Sequence, residues 1–282
     1  MSYFRTFRVA SVLCVAAAIT GCGTTYTMPG IGDETTSRAT AMFAEAKASP
    51  PRKLASPGAG VSRFDRVARR VQPVARQLCE RELAQKKTVD CNVKLELDTR
   101  MAERNAYFTY SEPGNRGPVI RFSVPILQDA ASDDEVAFIL GHEYGHLIGQ
   151  HIVKQRQQAI AGALILGAIT AYGNASAASA GAYYDPNALS RNMELGAAVG
   201  QTAFSQTYEL ESDMLGTRIA AAAGYDPVKG AQFFARDEAA RSKTGQLSFW
   251  GTHPADAKRM AVVIATMDQI KAQQELTRKT TP

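Results

Sequence analysis

The spacing of apolar residues predicts a helix before any other element of the chain. This helix is indicated by apolar side chains at intervals of three and four, the period of one helix face: Phe64, Val67, Val71, Val74 and Leu78. Ser62 is placed to cap the helix, and Pro73 inside it predicts a kink or a helix in two pieces.

Three runs after this helix have the pattern of strands. Residues 93–97 alternate apolar and polar side chains, and residues 105–110 and 119–124 flank a turn rich in proline and glycine. They predict a small, mostly antiparallel sheet. The 119–124 strand is expected to lend an open edge to an extended peptide.

Helical patterns return after the sheet. Residues 132–135, Ser-Asp-Asp-Glu, form a capping box for a helix expected to reach about residue 157. A second helix covers about 201–223 and is stopped by Gly224, and a third covers about 254–271. The predicted fold class is therefore α+β and mainly helical.

The segment 159–200 is apolar at first and then rich in alanine, glycine and serine, without a clear period. Its apolar part, 159–171, is shorter than the roughly 20 residues that cross a bilayer. Two interpretations stay open. The segment is either a buried core helix followed by a mobile loop, or a lid or membrane-facing flap over a functional site.

The N-terminus has the features of a secretion signal. Arg5 and Arg8 precede an uncharged apolar run, 9–19, and small residues then lead to Cys22. This pattern resembles the lipobox of bacterial lipoproteins, in which the signal, here residues 1–21, is removed and the cysteine is acylated. The alternative is an ordinary secretory signal with a chance cysteine. Gly23, by resemblance to the sorting rule of such lipoproteins, indicates the periplasmic face of the outer membrane.

Composition then divides the mature chain. Residues 22–60 are rich in Thr, Ser, Pro, Gly and Ala, which predicts a flexible tether of roughly 35 Å from the lipidated cysteine to a domain at 61–282. The whole chain carries a formal net charge of +5, too weak and too dispersed for nucleic-acid binding. Cys79 and Cys91 remain as an even pair in an oxidising compartment, which favours a disulfide over two buried free thiols.

Residues 142–146 read His-Glu-Tyr-Gly-His within a predicted helix. Side chains four apart lie about 6 Å along a helix axis and about 40° around it, so His142 and His146 present both imidazoles to one point, as a metal requires. Glu143 is turned about 100° from His142 and can take a proton from an attacking water. Gly145, a poor helix former, indicates close backbone approach at the site or simple tolerance.

A third protein ligand is needed. His151 is near in sequence, but on a continuing helix it lies about 180° from His142, which favours a packing role. Glu209 and Asp213 are four apart on the second helix and share a face, so one carboxylate can bind metal while the other orients a histidine. Paired acids and paired histidines also occur on solvated helix faces.

Five stretches extend this pattern beyond the two helices. They are NAYF from residue 105, DDEVAFILGHEYGHLIGQH from 133, YELESDMLG from 208, AGYDP from 223 and THPADAKRM from 252. In sequence and order they resemble the HtpX-like zinc peptidases, metallopeptidase family forty-eight. The resemblance covers roughly residues 105–260 and implies a zincin-like peptidase domain, with the sheet packed on the HExxH helix.

The resemblance also implies roles for individual residues. It implies one zinc ion per chain, bound by His142, His146 and Glu209. Glu143 is then the general base, and Asp213 is the carboxylate behind the metal ligands.

Three further positions are compared with the family in the same way. Arg259 stands at a family arginine position that supports the site electrostatically. His253 matches a position near the metal, where it is a fourth ligand in a resting state, an oxyanion donor or a structural turn histidine. Ser212 stands where many members have alanine, a small change with no expected effect.

Together these features predict a membrane-anchored zinc metalloendopeptidase of the gluzincin type. Its expected substrates are unfolded or misassembled envelope proteins, which corresponds to quality control. One alternative is an outer-membrane assembly factor or holdase chaperone that retains the zinc site. Another is a structural lipoprotein without metal.

Overall fold

The computed structural model describes residues 23–50, 52–86, 88–203, 205–236 and 247–280. These residues form two compact units. The peptidase unit comprises the described residues of Tyr26–Gly149 and Glu209–Thr277, and the hairpin unit comprises those of Gln150–Tyr208 together with residues 23–25 and 278–280. The predicted signal peptide and Cys22 lie outside the described residues and stay predictions.

The described helices and strands alternate in blocks along the chain. In order they are α1 (Asp33–Ala48), α2 (Pro57–Glu82), β1 (Lys94–Asp98), β2 (Ala106–Glu112), β3 (Arg116–Ser123), α3 (Val124–Asp129), α4 (Asp133–Ile148), α5 (His151–Ser179), α6 (Ala188–Thr202), α7 (Ser205–Ala222), α8 (Pro227–Ala231), a 3-10 turn (Gln232–Ala235), α9 (Phe249–Thr252) and α10 (Ala257–Lys271). The fold is mainly helical with a small sheet, as predicted.

The first predicted helix, α2, begins earlier than its apolar stripe suggested. Ser56, not Ser62, caps it by accepting a hydrogen bond from the Ala59 N–H at 3.3 Å. The apolar stripe is buried as expected, except that Val74 is only partly buried. Pro73 lies inside one uninterrupted element. Cys79 and Cys91 form a disulfide, as predicted.

The segment predicted as a flexible tether is folded over much of its described length. It contains α1, which packs against α10 and the 3-10 turn. Tyr26 is buried, and its N–H donates to Glu211 Oε1 at 2.7 Å. The composition of residues 22–60 did not indicate this helix, because its buried face is small, with Ala39 as its buried residue. The folded part of the peptidase unit therefore begins well before residue 61.

The sheet has the strand order β1-β3-β2 and is mixed rather than antiparallel. β2 and β3 are antiparallel across their tight turn, as predicted, but β1 pairs with β3 in parallel, with Leu95 opposite Ile120. The chain reverses between β1 and β2 and leaves a gap that β3 fills. β3 is therefore the central strand, and the prediction that it lends an open edge was wrong.

The helix that carries the HExxH sequence is the centre of the peptidase unit. Ser132 caps α4 by accepting from the Glu135 N–H, as the capping box predicts. Most of its residues are buried, and it packs against α2, α8 and the sheet strand β2. It ends at Ile148, earlier than predicted, because Gln150 adopts a left-handed φ of 57° before α5 begins.

The hairpin unit contains the segment 159–200, whose sequence showed no clear period. α5 and α6 form an antiparallel pair, in which Asn192 Nδ2 donates to Thr170 Oγ1 at 2.8 Å. The interpretation as a buried core helix followed by a mobile loop was wrong. Few residues of α5 are buried, and the expected loop contains the helix α6. The stop of α7 is as predicted, with Gly224 at a φ of 81°.

Candidate metal centre

Two helices supply the candidate ligands, and glycines let them approach closely. A Cβ added at Gly145 would lie 2.8 Å from both the Cα and the carbonyl oxygen of Ser212 on α7. One turn earlier, a Cβ at Gly141 would lie 2.9 Å from the carbonyl oxygen of Gly216. Close backbone approach therefore accounts for Gly145 between the two histidines, and tolerance alone does not.

We expect Gly145→Ala to destabilise the protein by about 1–3 kcal/mol, because the added methyl group forces α4 away from α7. Intrinsic helix propensity alone predicts the opposite sign, a gain of up to about 1 kcal/mol. The measurement is the free energy of unfolding in urea. Gly58→Ala is the matched control, since nothing lies within 4 Å of its added Cβ. Equal stability of the two variants would contradict this account.

The candidate ligand atoms of the two helices lie close together. His142 Nε2 lies 3.1 Å from His146 Nε2, and Glu209 Oε2 lies 3.3 Å from His142 Nε2. Glu209 Oε1 lies 3.4 Å from His146 Nε2. Tetrahedral ligands at about 2.0–2.1 Å from a metal ion are separated by about 3.3–3.4 Å, so separations of this size suit three side chains that share one metal ion.

The buried charges and orphaned atoms of the site also fit a divalent cation. Glu143, Glu209 and Asp213 are buried carboxylates. Among the described residues of the site, the buried guanidinium that opposes their negative charge is that of Arg259. Glu143 Oε1 and Glu209 Oε2 accept no hydrogen bond from the described residues. Buried charges need compensation, and two imidazoles with one carboxylate are a donor set that suits zinc.

Asp213 and Arg259 fix the orientation of the first histidine. Asp213 Oδ1 lies 2.9 Å from His142 Nδ1, which leaves Nε2 of the same ring to face Glu209. Arg259 donates to both Asp213 oxygens at 2.7 Å. Burial by itself lowers the pKa of His142, but Asp213 and Glu209 outweigh it and raise the pKa to about 9. The same carboxylates that favour a proton there favour a metal cation.

Glu143 flanks the ligand cluster and is held by the sheet. Its Oε2 accepts a hydrogen bond from the Phe108 N–H of β2 at 2.8 Å. Burial raises the pKa of Glu143 to about 8, and the cation for which the site is suited would lower it again. An ionised carboxylate at this position can accept a proton, which is the property required of a general base.

His253 is brought to the same cluster. One donor atom from each of His142, His146, Glu209 and His253 can be chosen such that all lie within 4.8 Å of one another. His253 Nε2 lies 3.4 Å from Glu143 Oε1, and Nδ1 is held 2.8 Å from Thr252 Oγ1. Burial lowers the pKa of His253 to about 4, so its ring is neutral and can offer a lone pair.

His151 is not part of the cluster. It is buried in the hairpin unit and stacks on Tyr208, with ring centroids 4.6 Å apart. This arrangement agrees with the packing role that its helical angle favoured.

Aromatic residues and one backbone group complete the site, and motif spacing did not reveal them. The Arg259 guanidinium lies over the ring of Phe234, 4.1 Å from its centroid, and the Phe249 ring stacks on His253 at 4.5 Å. The Phe108 N–H has no sequence signature, since every residue except proline carries that donor. The adjacent residues Phe233 and Phe234 can be seen in the sequence, but an aromatic pair is as typical of a hydrophobic core as of a functional site.

Comparisons with known proteins agree with this geometry. Residues 62–266 match the family model described as Peptidase family M48. The chain is also 31% identical over 134 residues to "Metalloprotease LoiP" of Escherichia coli (strain K12), a match that covers 47% of this chain and 49% of that protein. The chain thus spans about half the length of that relative.

Proposed function

Because this chain belongs to Peptidase family M48 and is therefore a metallopeptidase, we propose that it is a zinc-dependent endopeptidase that cleaves unfolded or misassembled proteins of the cell envelope. The observation that carries the proposal is the convergence of His142, His146 and Glu209, with Glu143 beside them. A purely structural zinc site has no need of a further buried carboxylate placed as a base beside its ligands.

The proposed mechanism assigns a task to each buried group. Zinc held by His142, His146 and Glu209 would supply Lewis acidity toward the scissile carbonyl and the attacking water. Glu143 accepts the proton of that water as its oxygen attacks the carbonyl carbon. When the C–N bond breaks, Glu143 gives the proton to the departing amine. Asp213 keeps His142 in the orientation that turns Nε2 toward Glu209.

The open strand next to the site is β2, not β3. β2 is an edge strand of the sheet, and its Phe108 N–H points away from β3 to reach Glu143. An extended substrate can add to this edge as a further strand, placing a peptide bond beside Glu143. Folded proteins rarely offer an extended segment, so this mode selects unfolded chains.

The proposed location rests on the sequence before residue 23. A lipidated Cys22 would hold the enzyme at the periplasmic face of the outer membrane, where misassembled envelope proteins accumulate. A holdase or assembly factor with the same metal site is the second candidate, favoured by the almost complete burial of Glu143 and His253.

The proposal predicts one zinc ion per chain and cleavage of an unfolded model protein but not of its folded form. Chelation should abolish cleavage, and added zinc should restore it. Elemental analysis and gel assays of wild-type protein measure both. Cleavage that survives complete metal removal would contradict the proposal. Zinc binding that suppresses aggregation of the unfolded protein without cutting it would favour the holdase.

A further inference from the structure

Around the closest approach of its two helices the hairpin unit packs through small residues, while several of its large apolar residues are exposed. Where α5 and α6 meet, a Cβ added at Gly162 would overlap the carbonyl of Gly196, and one at Gly200 would overlap the carbonyl of Gln158. The large side chains Ile160 and Leu164 are instead each 62% exposed. Helix pairs in water bury their large apolar side chains, whereas helices in lipid pack through small ones.

The two helices differ in the faces that they turn away from each other. The outward face of α5 consists of its exposed residues between 160 and 172, all of them apolar or aromatic: Ile160, Leu164, Ala168, Ile169, Ala171 and Tyr172. The exposed residues of α6 are mixed: the charged Arg191 and Glu194 and the polar Gln201 and Thr202 lie beside the apolar Leu195 and Val199. No Asp, Glu, Lys or Arg occurs between Arg156 and Asp185 in the sequence. Beyond the first turns of α5, the hairpin therefore carries its charges on the connection and on α6, and α5 is its uncharged, apolar side.

The base of the hairpin is bonded to the chain that directly follows Cys22. Lys154 Nζ donates to the Gly23 carbonyl at 3.0 Å and to Thr25 Oγ1 at 2.7 Å. The Thr25 carbonyl accepts from the Lys279 N–H at 2.9 Å, which fixes this short segment from its other side. Acyl chains on Cys22 would thus enter a bilayer within a few residues of the first turn of α5.

We propose that the α5–α6 hairpin is a membrane-binding element. The outward face of α5 inserts into the boundary between headgroups and acyl chains of the bilayer that holds Cys22, and α6 stays on the water side. Tyr172 and Tyr183, which are 73% and 88% exposed, are of the type enriched at membrane interfaces.

An in-plane arrangement explains the lengths and charges better than a membrane crossing. By length and composition α5 is sufficient to cross a membrane. α6 has 15 residues, about 22 Å of helix, which is shorter than the roughly 30 Å hydrocarbon core. α6 also exposes Glu194 near its middle, a charge that hydrocarbon would penalise. A helix pair with one apolar side and one side that carries the charges meets neither difficulty when it lies in the interface.

Tryptophan fluorescence in vesicles tests this orientation with a control inside the same hairpin. The acylated full chain carries either Leu164→Trp on α5 or Ala198→Trp on the outward face of α6. Each variant is reconstituted into vesicles of phosphatidylethanolamine and phosphatidylglycerol, with or without phosphatidylcholine brominated on its acyl chains. Trp250 is buried and contributes the same background to both variants. Circular dichroism and peptidase activity check that both variants fold.

Leu164→Trp should emit at shorter wavelength and lose at least half of its added intensity to the brominated lipid, while Ala198→Trp changes little. Equal quenching of the two variants would overturn the proposed orientation. A blue shift of Leu164→Trp without bromine quenching would also overturn the proposal, since it indicates a protein partner or a second copy on this face. Emission typical of water at both positions would show a free surface and would overturn it as well.

Discussion

Glu143→Gln is expected to retain zinc and to lower peptide cleavage by about 10²- to 10⁴-fold, the usual contribution of a general base. The amide has the shape of the carboxylate, and its oxygen can still accept the hydrogen bond that the Phe108 N–H gives to Glu143 Oε2 at 2.8 Å. What it loses is the ability to take a proton. The ligands His142, His146 and Glu209 are unchanged, so the metal content should remain at one ion per chain.

Zinc content and the rate of cleavage of an unfolded protein, measured on the same preparation, test this expectation. Glu34→Gln, on the exposed surface of α1, is the matched control and should behave as wild type. If Glu143→Gln cleaved at the wild-type rate, the assignment of the base would be wrong. If it lost zinc as well as activity, Glu143 would be acting as a ligand. A purified variant that still prevents aggregation would show whether a holding function accompanies cleavage.

The metal-binding part of the site could be predicted from sequence because a helix converts spacing into geometry. His142 and His146 are brought together by the period of one helix, and Glu209 and Asp213 by the period of another. That the two pairs meet required tertiary packing. Gly145 was a local trace of that packing, but sequence alone could not distinguish it from tolerance.

The parts that sequence reasoning missed depend on long-range neighbours. The order β1-β3-β2 is decided by which strand fills the gap beside β1, and strand periodicity carries no information about pairing partners. The Phe108 N–H became part of the site only through that order. α1 was concealed because a helix that buries little more than Ala39 has no strong apolar period.

The period of apolar residues did not predict the hairpin, for a different physical reason. Its contacts are made by glycines such as Gly162 and Gly196, while its leucines and isoleucines face outward on α5. Apolar residues on nearly every side of α5 leave no single stripe for a periodicity argument to detect. A helix pair in water buries its leucine and isoleucine side chains. Their exposure on α5 is therefore the observation that suggests contact with lipid.

Glu209→Gln is expected to lose both the metal and the activity. The carboxylate is the one anionic ligand among the four candidate groups, and the amide offers a neutral and weaker donor. Loss of even an outer partner of a metal ligand weakens binding about 10- to 100-fold, so losing the ligand should cost more than about 100-fold in zinc affinity. Bound metal also stabilises the fold, by about 2.7 kcal/mol when its free concentration is 100 times Kd.

Zinc titration and thermal unfolding, with and without chelator, separate the metal from the chemistry. Wild type should lose stability on chelation, and Glu209→Gln should begin near the chelated value and change little further. Glu209→Asp keeps the charge but is one methylene shorter, so it should bind zinc with intermediate affinity and recover part of its activity at high zinc. Glu194→Gln, an exposed glutamate on α6, is the control for charge removal alone. Because His253 also reaches the cluster, a Glu209→Gln variant that still held one zinc tightly would mean that three histidines suffice, and that Glu209 serves to hold Arg259 and the imidazoles in place.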